Sequence, residues 1–237
     1  YYSTLSGDVA IGNGGAGINV TGPNEGNIYL NYEMAIGNSV GFYANGMGQR
    51  PIGWGYGATV WSCCSTAIGN GIGFEALNDA IISSSSDNVA SNGVGLLARS
   101  STAYINYIYA YGNSGDGVVM VGRPADNVTI PYAQNSTSFL SGTLISNGNP
   151  ATHSGSGAVV SNESDVYVAF LFTGLNGNDG LKLTNVNDSA ISSVTTFGNA
   201  MNGIEADGLR NSNVTGVTST SMTYCEEICS TTPTYPG

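Results

Sequence analysis

The chain has 237 residues, and charged side chains make up only 9% of it, five Lys and Arg against sixteen Asp and Glu, for a formal net charge of -11. So few cations cannot neutralise a run of phosphates, which excludes nucleic acid as a partner and argues against anionic membrane surfaces. No apolar run approaches the roughly 20 residues of a membrane span, and 41% hydrophobic residues in regular alternation describe a chain that buries a core, which disordered chains cannot.

The opening "YYSTLSGDVA" has neither a charged start nor an apolar stretch of signal-peptide type, so a mature exported chain is expected. From "GNGGAGINV" at 12–20 onward, one sentence keeps returning: a turn, then alternating small and apolar residues. It recurs as "GNSVGFYA" at 37–44, "GNGIGFEA" at 69–76, "SNGVGLLA" at 91–98, "GNSGDGVVM" at 112–120, "NGNDGLKL" at 176–183 and "GNAMNGIEA" at 198–206. Where the copies are evenly spaced they lie about 22 residues apart, a period that signifies stacked repeats. Within a copy the apolar positions alternate, as in Ile72, Phe74 and Ala76 and again in Val94, Leu96 and Ala98, which predicts half-buried strands. A second strand is predicted in each unit, at 80–85, 103–111, 165–172 and 189–197. Glycine every few positions costs a helix about 1 kcal/mol each, so strands pairing from unit to unit are the expected architecture. Asn70, Asn92 and Asn113 are expected at the corners, stacked in a ladder with each amide bonding the next and with the left-handed backbone a sharp corner needs.

These units, "GNGIGF", "SNGVGLL" and "NGNDGLKL" with a second strand after each, resemble the rungs of the right-handed parallel β-helix proteins of the pectate-lyase-like superfamily, over most of residues 7–220. The resemblance implies an all-β solenoid forming a single domain over residues 1–237. Irregular loops are expected at about 45–66 and 121–157, and a cysteine-bearing tail at 221–237. It implies no single activity, since the superfamily includes lyases, glycosidases, epimerases, adhesins, tailspikes and surface proteins.

Catalytic patterns are hard to find. The cations Arg50, Arg99, Arg123, Lys182 and Arg210 are scattered over different units, and alternation points Lys182 outward into solvent. Glu205 with Asp207, and Glu163 with Asp165, are two residues apart and predicted to share a strand face, where exposed acids are the expected reading. His153 is the only histidine, and no nucleophile elbow accompanies it or its neighbours Ser154 and Ser156. Glycine-rich "GGAGIN" lacks the helix and lysine of a nucleotide loop. No catalytic residue, metal or cofactor is called for.

Cys63, Cys64, Cys225 and Cys229 match zinc spacings poorly and are expected in disulfides, within one chain or between chains. Sequons at Asn19, Asn127, Asn135, Asn162, Asn187 and Asn213 offer glycosylation sites in a secreted chain, although a chain this rich in Asn, Ser and Thr produces about five by chance. In composition and architecture the chain also resembles extracellular sheath and filament subunits of archaea. That resemblance implies a secreted or cell-surface structural protein whose main partner is itself, a homopolymer joined through open ends of the solenoid. The alternative is a carbohydrate-active or carbohydrate-binding protein that engages cell-surface glycans through Trp54, Tyr56 and Trp61.

Overall fold

The computed structural model describes residues 2–22, 27–46, 57–122, 138–219, 222–225 and 234–235, and these contain strands and turns without a helix. The strands form two sheets, one of fourteen strands and one of ten, and every pairing is parallel except that of Thr234–Tyr235 with Met222–Cys225. We call the larger one sheet I and the smaller sheet II. The chain visits them in a fixed order. A typical unit lays one strand in sheet I, turns a corner, lays a second there, and crosses to sheet II, as in Ile81–Ser85, Asn88–Ala90 and Val94–Arg99. In the next unit the first two strands run on as one, Thr102–Tyr111. Each unit pairs in register with the units before and after it, giving parallel strands in stacked tiers.

The expected strands are present. Phe74, Ala76, Leu96 and Ala98 are buried between the sheets, with Ile72 and Val94 at the half-buried strand starts. Inside, side chains stack on their equivalents one tier away. Phe42 lies on Phe74 with centroids 4.4 Å apart.

The asparagine ladder is longer than the three residues singled out from sequence. It runs through Asn13, Asn38, Asn70, Asn92, Asn113, Asn147, Asn176 and Asn199. At each interior step the Oδ1 accepts from both the backbone N–H and the Nδ2 of the preceding asparagine, while its own Nδ2 donates to the next Oδ1 and to a backbone carbonyl. For Asn92 these partners are Asn70, Asn113 and the Ala67 carbonyl. One expectation is corrected here. The left-handed residue at this corner is not the asparagine but the one before it, Gly69, Ser91 or Gly112 at φ 65°, 53° and 61°. Asparagine is required for its amide, and the glycine before it for its backbone. The second glycine of the motif has another reason: a Cβ at Gly95 would strike the Gly117 carbonyl oxygen of the next tier and lie 3.1 Å from the Asn113 amide nitrogen.

The ladder also corrects the period. Its steps are 21 to 23 residues at three places and 25 to 34 at the others. Extra residues lengthen a tier while the ladder stays continuous, because closing a longer loop costs little extra entropy. The stretches read as irregular loops contain strands that pair with the neighbouring tiers, Thr59–Cys63 in the first and Ser138–Ile145 in the second, the latter with a register shift at its corner. One of the insertions is described: a turn at 149–154, closed by an antiparallel bridge between Asn149 and Ser154. Arg50, Trp54, Tyr56, Arg123, Asn127, Asn135 and Cys229 lie outside the described residues.

Candidate functional site: an uncharged aromatic face and an acid–lysine cluster

Charge is divided unequally between the sheets. None of the fourteen strands of sheet I contains Asp, Glu, Lys, Arg or His, whereas sheet II carries Glu75, Arg99, Lys182, Glu205 and Asp207. What sheet I presents outward is aromatic. Register aligns Tyr29, Trp61, Ser83, Tyr104, Phe139 and Tyr167 in one row across six tiers. Tyr29 and Trp61 stack at 6.2 Å with 16° between their planes. Beyond the corner Tyr109, Tyr111 and Phe172 continue the face, and Tyr104, Tyr109, Tyr111 and Tyr167 are each 41% to 54% exposed.

The corner between the two sheet I strands carries a second signal. Its left-handed position is held by Gly7 and Gly216 in the outermost tiers and, further in, by Cys64, Ser86 and Ser193 and by three aromatic residues, Tyr32, Tyr107 and Phe170, at φ 59°, 57° and 53°. A bulky residue in this region is strained by about 1–2 kcal/mol. These three are 70%, 54% and 66% exposed, so burial does not offset the strain. Aromatic side chains held outward at a conformational cost point to a role in contact with something outside the chain.

Beneath the same corner the chain buries acids. Ser65 N–H and Ser62 Oγ donate to Asp87 Oδ1, and Ser84 Oγ donates to Oδ2 at 2.7 Å. Burial outweighs these bonds and pushes the Asp87 carboxyl up to about 6. One and two tiers away Ser65 and Glu33 occupy this position, and Glu33 is likewise raised by burial. In later tiers the position is held by Ile108, Gly142, Leu171 and Val194, so the polar column is local to one end of the stack.

On sheet II, Lys182 is not the free solvated lysine expected. Its Nζ lies 3.0 Å from Glu205 Oε1. Asp179 is buried beside them, accepts from the Asn202 backbone and amide at 3.0 Å, and is raised by burial and by the charge of Glu205. Asp116 accepts from Ser156 N–H at 2.7 Å and is raised by burial, with Lys182 pulling it down. This cluster holds charge within the protein. Among the described residues no group of three or more His, Cys, Asp or Glu is arranged to hold a metal ion.

The other candidates stay apart. Glu205 and Asp207 share the outer face of their strand, but Glu163 is buried while Asp165 is half-buried with φ 56°, because the chain turns between them. His153 is exposed in the 149–154 turn, where Ser154 Oγ pairs with Thr152 Oγ1. Of the sequons, Asn19, Asn162 and Asn213 are exposed and Asn187 is half-buried. No helix among the described residues is long and apolar enough to cross a membrane.

The geometry defines an all-β chain of stacked parallel strands with one uncharged aromatic side. No protein-family model matches it, and neither does any curated protein or solved structure.

Proposed function

We propose that the protein is an extracellular, self-associating structural protein built as a right-handed parallel β-helix, a subunit of a sheath, filament or surface layer. The repeated order of two strands in sheet I and one in sheet II supports the winding, and parallel crossovers are right-handed in about 98% of cases. The observation that carries the function is the outer face of sheet I. A chain of net charge -11 repels its own copies, and the strands of sheet I form the side on which two copies meet without opposing like charges. With tiers about 4.8 Å apart and residues about 3.3 Å apart, the face from Tyr29 to Phe197 covers roughly 800 Å², the area each partner contributes to a standard interface. Negative-stain electron microscopy of the purified protein tests the proposal. Ordered filaments, tubes or sheets support it, and isolated particles at every concentration refute it.

The stacked pair of Tyr29 and Trp61 favours a second reading, binding of a neutral glycan whose apolar sugar faces lie along the aromatic row. Retention on an immobilised neutral polysaccharide, abolished by Trp61→Ala while assembly persists, would select it.

A further inference from the structure

The adjacent cysteines sit at the strained corner of the third tier. Cys63 ends the strand Thr59–Cys63, and Cys64 takes the left-handed corner position at φ 63°, where Tyr32 and Ser86 sit in the tiers on either side. Both are half-buried, and their sulfurs lie 2.6 Å apart. Cys225 is far away. It pairs with Asp207 in sheet II, in a strand six tiers along from the strand Ile72–Leu77 that belongs to the tier of Cys63. At about 4.8 Å per tier that separation is roughly 29 Å. Four residues of extended chain reach about 14 Å, so Cys229 cannot close the gap either, given that bridged Cα atoms lie within about 7 Å.

We propose that Cys63 and Cys64 form a disulfide with each other, making this corner a redox modification site whose co-substrate is a low-molecular-weight disulfide acting as the two-electron oxidant. The Cys64 thiolate attacks one sulfur of that disulfide and releases the first thiol. Cys63 then gives up its proton and attacks the Cys64 sulfur, expelling the second thiol. In sum the two cysteines lose two protons and two electrons, and the oxidant's S–S bond becomes two thiols. Cys64 acts first because the Cys63 thiol is pushed up to about 11, by its hydrogen bond to Cys64, by burial and by nearby acidic charge. Once Cys64 is in the mixed disulfide that hydrogen bond is gone, and Cys63 is released to react. The closed ring fixes Cys64 in its left-handed conformation two residues along the chain from Trp61 Cα's neighbour Ser62, at the border of the aromatic face. In the reduced form the two sulfurs form a chelate for a thiophilic reagent that bridges adjacent thiols.

The test is peptide mapping by mass spectrometry after treatment with oxidised glutathione, on the wild-type chain and on Cys225→Ser/Cys229→Ser. Expected in both is a peptide spanning 63–64 that has lost two hydrogens, and, after reduction, capture of one phenylarsine oxide per 63–64 peptide, abolished by Cys64→Ser. A peptide linking Cys63 or Cys64 to Cys225 or Cys229, a covalent dimer of the double variant, or full alkylation of both thiols after oxidation would overturn the proposal. Non-covalent self-association is read separately and does not bear on it.

Discussion

Replacing Asn92 with alanine removes a side chain that is 1% exposed and makes four hydrogen bonds. The Asn70 N–H and Nδ2 lose their acceptor, the Ala67 carbonyl loses a donor, and Asn113 Oδ1 keeps only the Asn92 N–H. At about 1 kcal/mol net for each bond, with buried donors left unpaired, the expected cost is about 4 kcal/mol. Asn199 at the far end of the ladder accepts two bonds from Asn176, and its own Nδ2 is buried without a partner, so Asn199→Ala should cost about half as much, ~2 kcal/mol. Asn13, exposed at the other end, donates from its amide only to Asn38, and its replacement should cost ~1 kcal/mol. Asn92→Asp should be as damaging as alanine, because a carboxylate oxygen would face the Asn113 and Ala67 oxygens where an amide now donates. Urea denaturation gives the ordering, and hydrogen exchange at the Asn70 amide gives the local cost even if a repeat array unfolds in stages. Equal costs at Asn92 and Asn13, or a cost below 1 kcal/mol at Asn92, would refute the ladder as a source of stability.

Other expectations concern pH, strain and space. Asp87 is raised from its ordinary value of 3.8 to about 6, so the folded state holds a proton that the unfolded state releases. Its contribution is therefore fully present below about pH 4 and lost as pH rises through 6, a change of about 3 kcal/mol. Thermal melts from pH 4 to 7 should show stability falling as pH rises, and Asp87→Asn should flatten that slope. Glu33, Glu75, Asp116 and Asp179 are raised in the same direction, which reinforces the preference for mild acid. Phe170→Gly relieves left-handed strain at an exposed position and should stabilise the monomer by about 1 kcal/mol while weakening self-association. A loss of stability on urea titration would contradict the strain. Gly95→Ala forces a methyl against the Gly117 carbonyl and should destabilise by about 1–3 kcal/mol in the same titration.

The strands and the ladder were legible in the sequence because each is dictated locally: alternation places Phe74 and Leu96 inward, and a repeated G-N places a corner. The left-handed residue was misassigned to asparagine because both Gly and Asn tolerate that conformation, and only geometry shows Gly69 adopting it and Asn70 using its amide. The aromatic face was missed for a different reason. Its residues are far apart in sequence, and Tyr29, Trp61, Tyr104 and Tyr167 become one row only when the tiers are in register across insertions of uneven length. A signal was nevertheless present, since each of the predicted second strands at 80–85, 103–111 and 189–197 lacks a charged residue, and 165–172 has one only at its first position. The Lys182–Glu205 pair lay 23 residues apart, one tier, and was within reach of the period alone.

The central claim is that sheet I joins copies of this chain, and sedimentation velocity tests it most directly. The comparison is wild type, a sheet I variant carrying Tyr104→Ser, Tyr167→Ser and Phe170→Gly, and a sheet II control carrying Lys182→Gln and Glu205→Gln. The account predicts that wild type and control associate with rising concentration, more strongly in sulfate because the contact is apolar and the repulsion is screened. The sheet I variant should remain monomeric with its melting transition intact. A monomeric wild type in sulfate, or association lost in the control and kept in the sheet I variant, would contradict it.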